Sequence, residues 1–353
     1  MRVSQIWFLS VRFFIKIGLF FYTKKTRVNG LENIPKKGAV LFAINHPNGL
    51  LDPLVVTTHN PRINFFLVRA AAFKKSFIKK ILESLNLMPI YRIRDGIQQL
   101  SNNEEIFNKC YKILERKDTL VIFPEGTHNR KRTARPLSKG FTRIISGALE
   151  KFPDLDIAVI PVGITYQNAS VFPSKVCINY GKPIDSKNIF DNNPKAKSIN
   201  ILKKEVSDQL KTLSVHIEDD ENYNATLSKL NKAQVDFTEV DLVNKMIQEN
   251  SFPKEKEKAK NFLKPLYYLA MINTFFAYLF WKKIYKKIDE IEFVDTFRFA
   301  LNLFIYPFFY LLQTVIVSFL FGRGIGLIYL VSSLLIVLLY TKLSPTPTES
   351  HLE

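Results

Sequence analysis

The run Ala39–Ile44 is apolar at every position and ends on Asn45-His46-Pro47-Asn48-Gly49. An apolar run of this length, closed by Pro, Asn and Gly, reads as a buried strand running into a turn. The turn exposes a histidine, and Asp52 follows six positions on. A histidine beside a carboxylate can act as a general base, because the carboxylate fixes the imidazole tautomer and stabilises the imidazolium that forms. The same residues also read as a loop histidine with an aspartate capping the next helix. Only the remainder of the chain distinguishes the two.

Between Arg27 and about Lys187, short apolar runs alternate with helical segments. The strands are expected at Ala39–Ile44, Ile63–Val68, Thr119–Phe123, Ile157–Val162 and Val176–Tyr180. Ser101 to Glu115 reads as a helix, with Ser101 and Glu104 as a capping box and Ile106, Cys110, Ile113 and Leu114 on one face. This alternation predicts an α/β layer fold, a sheet flanked by helices. A second strand-to-turn passage, Leu120 to Arg130, carries Phe123-Pro124-Glu125-Gly126-Thr127, and Lys131, Arg132 and Arg135 follow it. Backbone N–H groups and arginines at such a turn can hold a phosphate, or the basic run is a solvated loop. Glu125 would accept hydrogen bonds from a substrate hydroxyl or from the turn itself.

Outside this region the composition changes. Residues 1–26 begin with an aromatic-rich segment in which Arg12 and Lys16 share a helix face. Two charges make a spanning helix costly, so the segment reads as an amphipathic helix in the membrane interface. Residues 195–260 read as a polar helical connector. In residues 261–345, Phe299–Phe321 and Ile325–Tyr340 are apolar enough to form a transmembrane helical hairpin. The run 265–281 is flanked by lysines on both sides and reads as re-entrant or interfacial. Residues 346–353 are a tail. The net charge of +18 favours an acidic partner: an anionic membrane, a phosphate-bearing substrate or nucleic acid. No nucleic-acid motif is present, and the hydrophobic helices do not suit one. Cys110 and Cys177 lack metal-ligand spacing, and no metal is expected.

With both strand-end motifs in view, the sequence resembles the PlsC-type glycerolipid acyltransferases. Four family motifs occur in order: Asn45-His46 with Asp52, then Met88 to Asp95, then Phe123 to Thr127, then Ile160-Pro161-Val162. Gly181-Lys182-Pro183-Ile184 resembles the strand end that commonly follows. Five residues separate His46 from Asp52 where the common pattern has four. That departure is similar to the fungal glycerol-3-phosphate/dihydroxyacetone-phosphate acyltransferases. Residues 27–194 would then be the catalytic domain.

The resemblance implies catalytic roles for His46 and Asp52, and substrate-binding roles for Asn48, Arg92, Arg94, Glu125, Gly126 and Thr127. Arg92 is favoured for the acceptor phosphate, with Arg94 two residues on and on the same face of a strand. Arg130 and Lys139 are weaker candidates, and His59, His128, His216 and His351 are treated as ordinary polar residues. The implied reaction is transfer of an acyl group from an acyl-CoA or acyl-carrier-protein thioester, with no cofactor, to glycerol-3-phosphate or 1-acylglycerol-3-phosphate. The expected partners are that acceptor, the thioester donor, membrane lipid and acyl carrier protein. The enzyme would be membrane-bound, with its catalytic domain on the cytoplasmic side. Two other readings fit the same motifs: acylation of a lysophospholipid or aminoacyl lipid, and a non-catalytic lipid-binding protein of the same fold.

Overall fold

A computed structural model of the chain describes residues 3–91, 97–257 and 260–346. Its eight strands are β1 (Lys25–Asn29), β2 (Ala39–Ile44), β3 (Asn64–Arg69), β4 (Leu87–Ile90), β5 (Thr119–Ile122), β6 (Ile157–Tyr166), β7 (Lys175–Tyr180) and β8 (Ile184–Asp185). They form one sheet in the order β1-β7-β6-β2-β5-β3-β4, with β8 on β6. The run from β6 to β4 is parallel, and β7 and β8 are antiparallel to β6.

β2 lies in the middle and is buried at every residue. Leu41 and Ala43 face a core shared with α4 (Asn103–Glu115), α5 (Gly140–Lys151) and α7 (Lys195–Leu213). Val40, Phe42 and Ile44 face a second core shared with α1 (Val3–Tyr22) and α2 (Leu51–Thr58). A strand covered on both faces has no polar side, which is why its sequence runs apolar without alternation. The register Ala43 to Ile122 places the ends of β2 and β5 side by side, so both strand-end turns emerge at the same sheet edge.

Three local expectations need correction. The capping box does not form: Asn102, not Ser101, is the N-cap of α4, and Ser101 Oγ donates to the Gln98 carbonyl. β6 continues four residues beyond Val162, to Tyr166. Residues 195–260 are not a connector. Leu202, Val206 and Leu210 of α7 belong to the first core. Residues from Val215 on, with α8 (Tyr223–Lys232) and α9 (Val240–Gln248), build a third core that includes Cys177 of β7.

The C-terminal region consists of α10 (Lys264–Asn273), α11 (Phe275–Tyr285), α12 (Val294–Phe321) and α13 (Arg323–Leu343). The helices α1, α12 and α13 are long and apolar enough to cross a membrane. The run expected at 265–281 breaks at Thr274 into two helices of 10 and 11 residues. Each is only about 15 Å long, half of what crossing the hydrocarbon requires. Polar groups gather at the break. Asn273 donates to Ser333 Oγ (3.1 Å), its carbonyl accepts from Gln313 (2.7 Å), and the Tyr329 hydroxyl lies 2.7 Å from Asn273 Oδ1. Interrupted backbone is tolerated among apolar helices when neighbouring side chains satisfy it in this way.

The apolar helices are joined to the sheet domain rather than tethered beside it. Phe299 and Leu303 of α12 sit in the second core with Leu19 and Tyr22 of α1. Lys342 donates to the carbonyls of Phe20 and Thr23 at 2.7 and 2.8 Å. Arg12, one of the two charges on α1, donates to the carbonyls of Asn60 and Arg62 beyond the C-terminus of α2. A cation is favoured at that end of a helix.

The packing of α7 on β6 generates a test of its place in the core. A Cβ at Gly163 would lie 2.1 Å from the carbonyl oxygen of Leu213, which is backbone and cannot rotate away. Gly163→Ala is therefore expected to destabilise the domain by about 1–3 kcal/mol, the range for overpacking a close-packed contact. Chemical denaturation of the purified variant reads this directly, and no change would place α7 outside the cooperative unit.

Candidate active site

His46 stands just past the end of β2, and Asp52 lies in the first turn of α2. The structure brings them together: His46 Nδ1 is 2.7 Å from Asp52 Oδ2. The five-residue spacing therefore does not displace the aspartate. Asp52 is fully buried. Its Oδ2 also accepts from the Asn48 N–H (2.7 Å), and its Oδ1 accepts from the Tyr166 hydroxyl (2.9 Å). Burial pushes the Asp52 carboxyl above its usual range, against the opposing pull of these donors. Tyr166 is buried against the carboxylate, and its phenol is held well above its ordinary value by burial first and by Asp52 second. With Nδ1 engaged, Nε2 is the ring nitrogen left for a substrate proton.

The His46 ring is stacked on Phe123, with centroids 4.1 Å apart and planes 22° apart. Its backbone is also held: the His46 N–H donates to Glu125 Oε2 (3.4 Å), and the His46 carbonyl accepts from the Asn129 N–H (2.9 Å). Asn45 anchors the turn to β6 by a two-way bond with the Ile164 backbone, at 2.7 and 3.0 Å.

The second turn closes with the Gly126 N–H on the Phe123 carbonyl (3.0 Å). Gly126 has φ +75°, a conformation that glycine adopts without cost. Glu125 receives Arg135, through Nε at 3.0 Å and also through Nη2, and Arg135 Nη1 donates to Thr127 Oγ1 (2.6 Å). Of the two roles open to Glu125, holding the turn is the one the geometry displays. The basic residues after the motif are committed as well. Arg135 is bound to Glu125 and Thr127, Arg132 donates to the carbonyls of Tyr166 and Gln167 at 3.0 Å, and Lys131 pairs with Asp219.

Asn48, expected at the substrate, lies inside the fold. It is fully buried, and its side chain donates to the Ala169 carbonyl (3.0 Å). Its work is internal, since its N–H orients Asp52. Arg92 and Arg94 lie outside the described residues. The chain leading to them is pinned at Tyr91, whose N–H and carbonyl both bond the Asn103 side chain, at 3.0 and 2.8 Å. Arg130 borders a small cavity beside Asn45 and Pro47. Lys139 instead lines a cavity of about 630 Å³ between α4 and α5, with Arg143 and Asn103.

Two residues missed by sequence reasoning stand at the site. Tyr166 lies on the β6 extension, and the apolar stretch running on through Ile164 was its signal. His128 is not an isolated polar residue. Its ring meets His46 edge-on at 5.8 Å and Phe293 at 4.9 Å, and its Nε2 lies 2.7 Å from Glu290 Oε2. Neighbouring groups join the same contact: the Glu292 carbonyl accepts from the Gly49 N–H (3.3 Å), and Thr296 Oγ1 accepts from the Leu50 N–H (3.0 Å). The start of α12 thus packs directly on the loop that carries His46 and Asp52. No short-range pattern links residues so far apart.

A histidine oriented by a buried carboxylate, at the C-terminal edge of a parallel sheet, is an arrangement suited to taking a proton from a nucleophile. Residues 25–165 match the family model described as Acyltransferase. Among curated proteins, the chain is similar to glycerol-3-phosphate O-acyltransferase 2 of Saccharomyces cerevisiae, at 30% identity over 107 residues, which are 29% of this chain and 14% of that protein. It is similar to 1-acyl-sn-glycerol-3-phosphate acyltransferase of Borreliella burgdorferi at 28% identity over 174 residues, 49% of this chain and 64% of that one. The matched stretches are thus less than two thirds of the length of these relatives. Among solved structures, the 1-acyl-sn-glycerophosphate acyltransferase PlsC from Thermotoga maritima aligns with a TM-score of 0.46 at 18% identity, covering 62% of this chain and 86% of that one.

The state of Asp52 can be read from stability. Burial raises its pKa in the fold, so between the unfolded and folded values the native chain holds the extra proton. Its contribution to stability is fullest in acid and is lost as pH rises through the folded value. Burial makes the ionised form of this carboxyl costly in the fold. Asp52→Asn is therefore expected to leave Tm at pH 7 unchanged or raised, relative to the parent, in thermal unfolding. A marked fall in Tm would show that the charge itself holds the loop together.

Proposed function

We propose that this chain is a membrane-bound O-acyltransferase that moves a fatty acyl group from a thioester to glycerol-3-phosphate or 1-acylglycerol-3-phosphate. The observation that carries the reading is the His46–Asp52 pair, in which Nδ1 is fixed at 2.7 Å on a fully buried carboxylate. A lipid-binding protein has no need of an oriented base. The family match and the names of the relatives support an acyl acceptor of the glycerol-phosphate class.

His46 Nε2 takes the proton of the acceptor hydroxyl as the oxygen attacks the thioester carbonyl. The new C–O bond forms a tetrahedral oxyanion, and Asp52 balances the imidazolium charge. Collapse breaks the C–S bond, and the imidazolium proton goes to the departing thiolate. No acyl-enzyme is formed, because the deprotonated acceptor is itself the nucleophile. Arg92 and Arg94 are the residues assigned to the acceptor phosphate. The donor is carried on CoA or on acyl carrier protein, whose acidity suits a chain of net charge +18. The catalytic domain would face the cytoplasm.

The test uses purified full-length protein in detergent, labelled acyl-CoA and acyl carrier protein thioesters, and four acceptors. These are glycerol-3-phosphate, dihydroxyacetone phosphate, 1-acylglycerol-3-phosphate and lysophosphatidylcholine. Transfer is expected to phosphomonoesters, and His46→Ala is expected to lower it by about 10²–10⁴-fold, the usual value of general-base catalysis. Transfer to lysophosphatidylcholine alone would overturn the acceptor assignment. Undiminished transfer by His46→Ala would overturn the mechanism.

A further inference from the structure

α3 (Ser76–Ser84) has no buried residue, yet it is not a polar helix. At 100° per residue, Phe77, Ile81, Leu85, Ile78 and Leu82 fall within an arc of about 140°, and Lys79, Lys80 and Glu83 occupy the remainder. Leu82 and Leu85 are half-buried. Phe77, Ile78 and Ile81 stand outward at 70, 39 and 38% exposure. Exposed Lys74 and Lys75 precede the helix. A helix that served only the sheet domain would turn this arc inward.

We infer that the outward edge of α3 rests on an anionic lipid bilayer and forms a membrane contact separate from the apolar helices. Two observations select lipid as the occupant. Exposed apolar side chains rimmed by lysines are the chemistry of a helix lying in the headgroup region, where apolar burial and attraction to anionic lipid add. The stripe is also continuous with other apolar surface. Trp7 on α1 donates its indole N–H to Ser84 Oγ (3.1 Å), and Ile6, Trp7, Phe13, Ile17 and Phe20 of α1 are exposed. Phe14 of α1 in turn contacts Phe304 of α12, with ring centroids 5.8 Å apart.

The inference rests on the membrane part of the proposed function and not on its chemistry. It has a functional consequence. α3 feeds directly into β4, the edge strand that leads to Tyr91 and the arginine motif. Seating α3 on the bilayer holds that edge at headgroup depth, where the phosphate of a membrane-borne acceptor lies.

The experiment places a nitroxide on the full chain in vesicles of phosphatidylcholine and phosphatidylglycerol. Labels go on Phe77→Cys, Ile81→Cys, Glu83→Cys and Val315→Cys in turn. Cys110 and Cys177 are both buried and do not compete for label. Collision with oxygen, which concentrates in lipid, is compared with collision with a water-soluble nickel chelate. The expected result is oxygen-dominated relaxation at 77, 81 and 315, and nickel-dominated relaxation at 83. If 77 and 81 behave like 83 while 315 reports lipid, α3 lies in water and the inference fails. Protection of 77 and 81 from both reagents would assign the stripe to a protein partner and overturn it as well. Nickel access at 315 would overturn the membrane reading itself.

Discussion

The site depends on one buried carboxyl group. Asp52 is removed from solvent, and its carboxylate is held by three donors from two parts of the chain: the His46 imidazole and the Asn48 backbone in the turn after β2, and the Tyr166 hydroxyl at the end of β6. A carboxylate in such a place costs stability unless its neighbours compensate. Those neighbours fix much of the local architecture. The turn after β2 must bend back so that Asn48 presents its N–H. β6 must run on beyond the sheet centre to deliver Tyr166. The Asn45 side chain locks those two requirements together on the backbone of Ile164.

A second constraint comes from the C-terminal helices. The passage from Glu290 to Thr296 touches His128, Gly49 and Leu50. A Cβ at Gly49 would fall 2.9 Å from the Phe293 ring, so the loop can approach this passage closely only with glycine there. Just beyond, Arg298 donates to the Ser170 carbonyl (3.0 Å) and to Asp295 (3.1 Å), and Asp295 accepts from Tyr22. The apolar helices therefore brace the loop that carries His46 and Asp52.

Much of this was legible in the sequence because it is local. β2 was found at its true boundaries, since a strand buried on both faces leaves an apolar run with clean ends. The two strand-end turns were found from their Pro and Gly, and His46 with Asp52 from their proximity. β1 leaves little trace in the sequence because it is an edge strand, Lys-Thr-Arg-Val-Asn, with little burial to mark it. β6 reads short in the sequence because Gly163, a residue that weakens strands, follows Val162. The capping box was misread because Ser101 and Glu104 fit the pattern while the backbone there is a 3₁₀ turn, Ile97–Asn102, that ends the segment differently. The connector reading failed for a related reason: abundant lysine hid a narrow stripe, Leu202, Val206 and Leu210, that is fully buried. Pairings such as His128 with Glu290 exist only once the chain is folded, and no spacing announces them.

The central claim is that His46 and Asp52 act as a single device. The most direct measurement is a double-mutant cycle on acyl transfer, using His46→Ala, Asp52→Asn and the two combined. If Asp52 works only through the imidazole, the combined variant falls no further than His46→Ala alone. Losses that multiply would contradict the account, because Asp52 would then contribute to the reaction without His46.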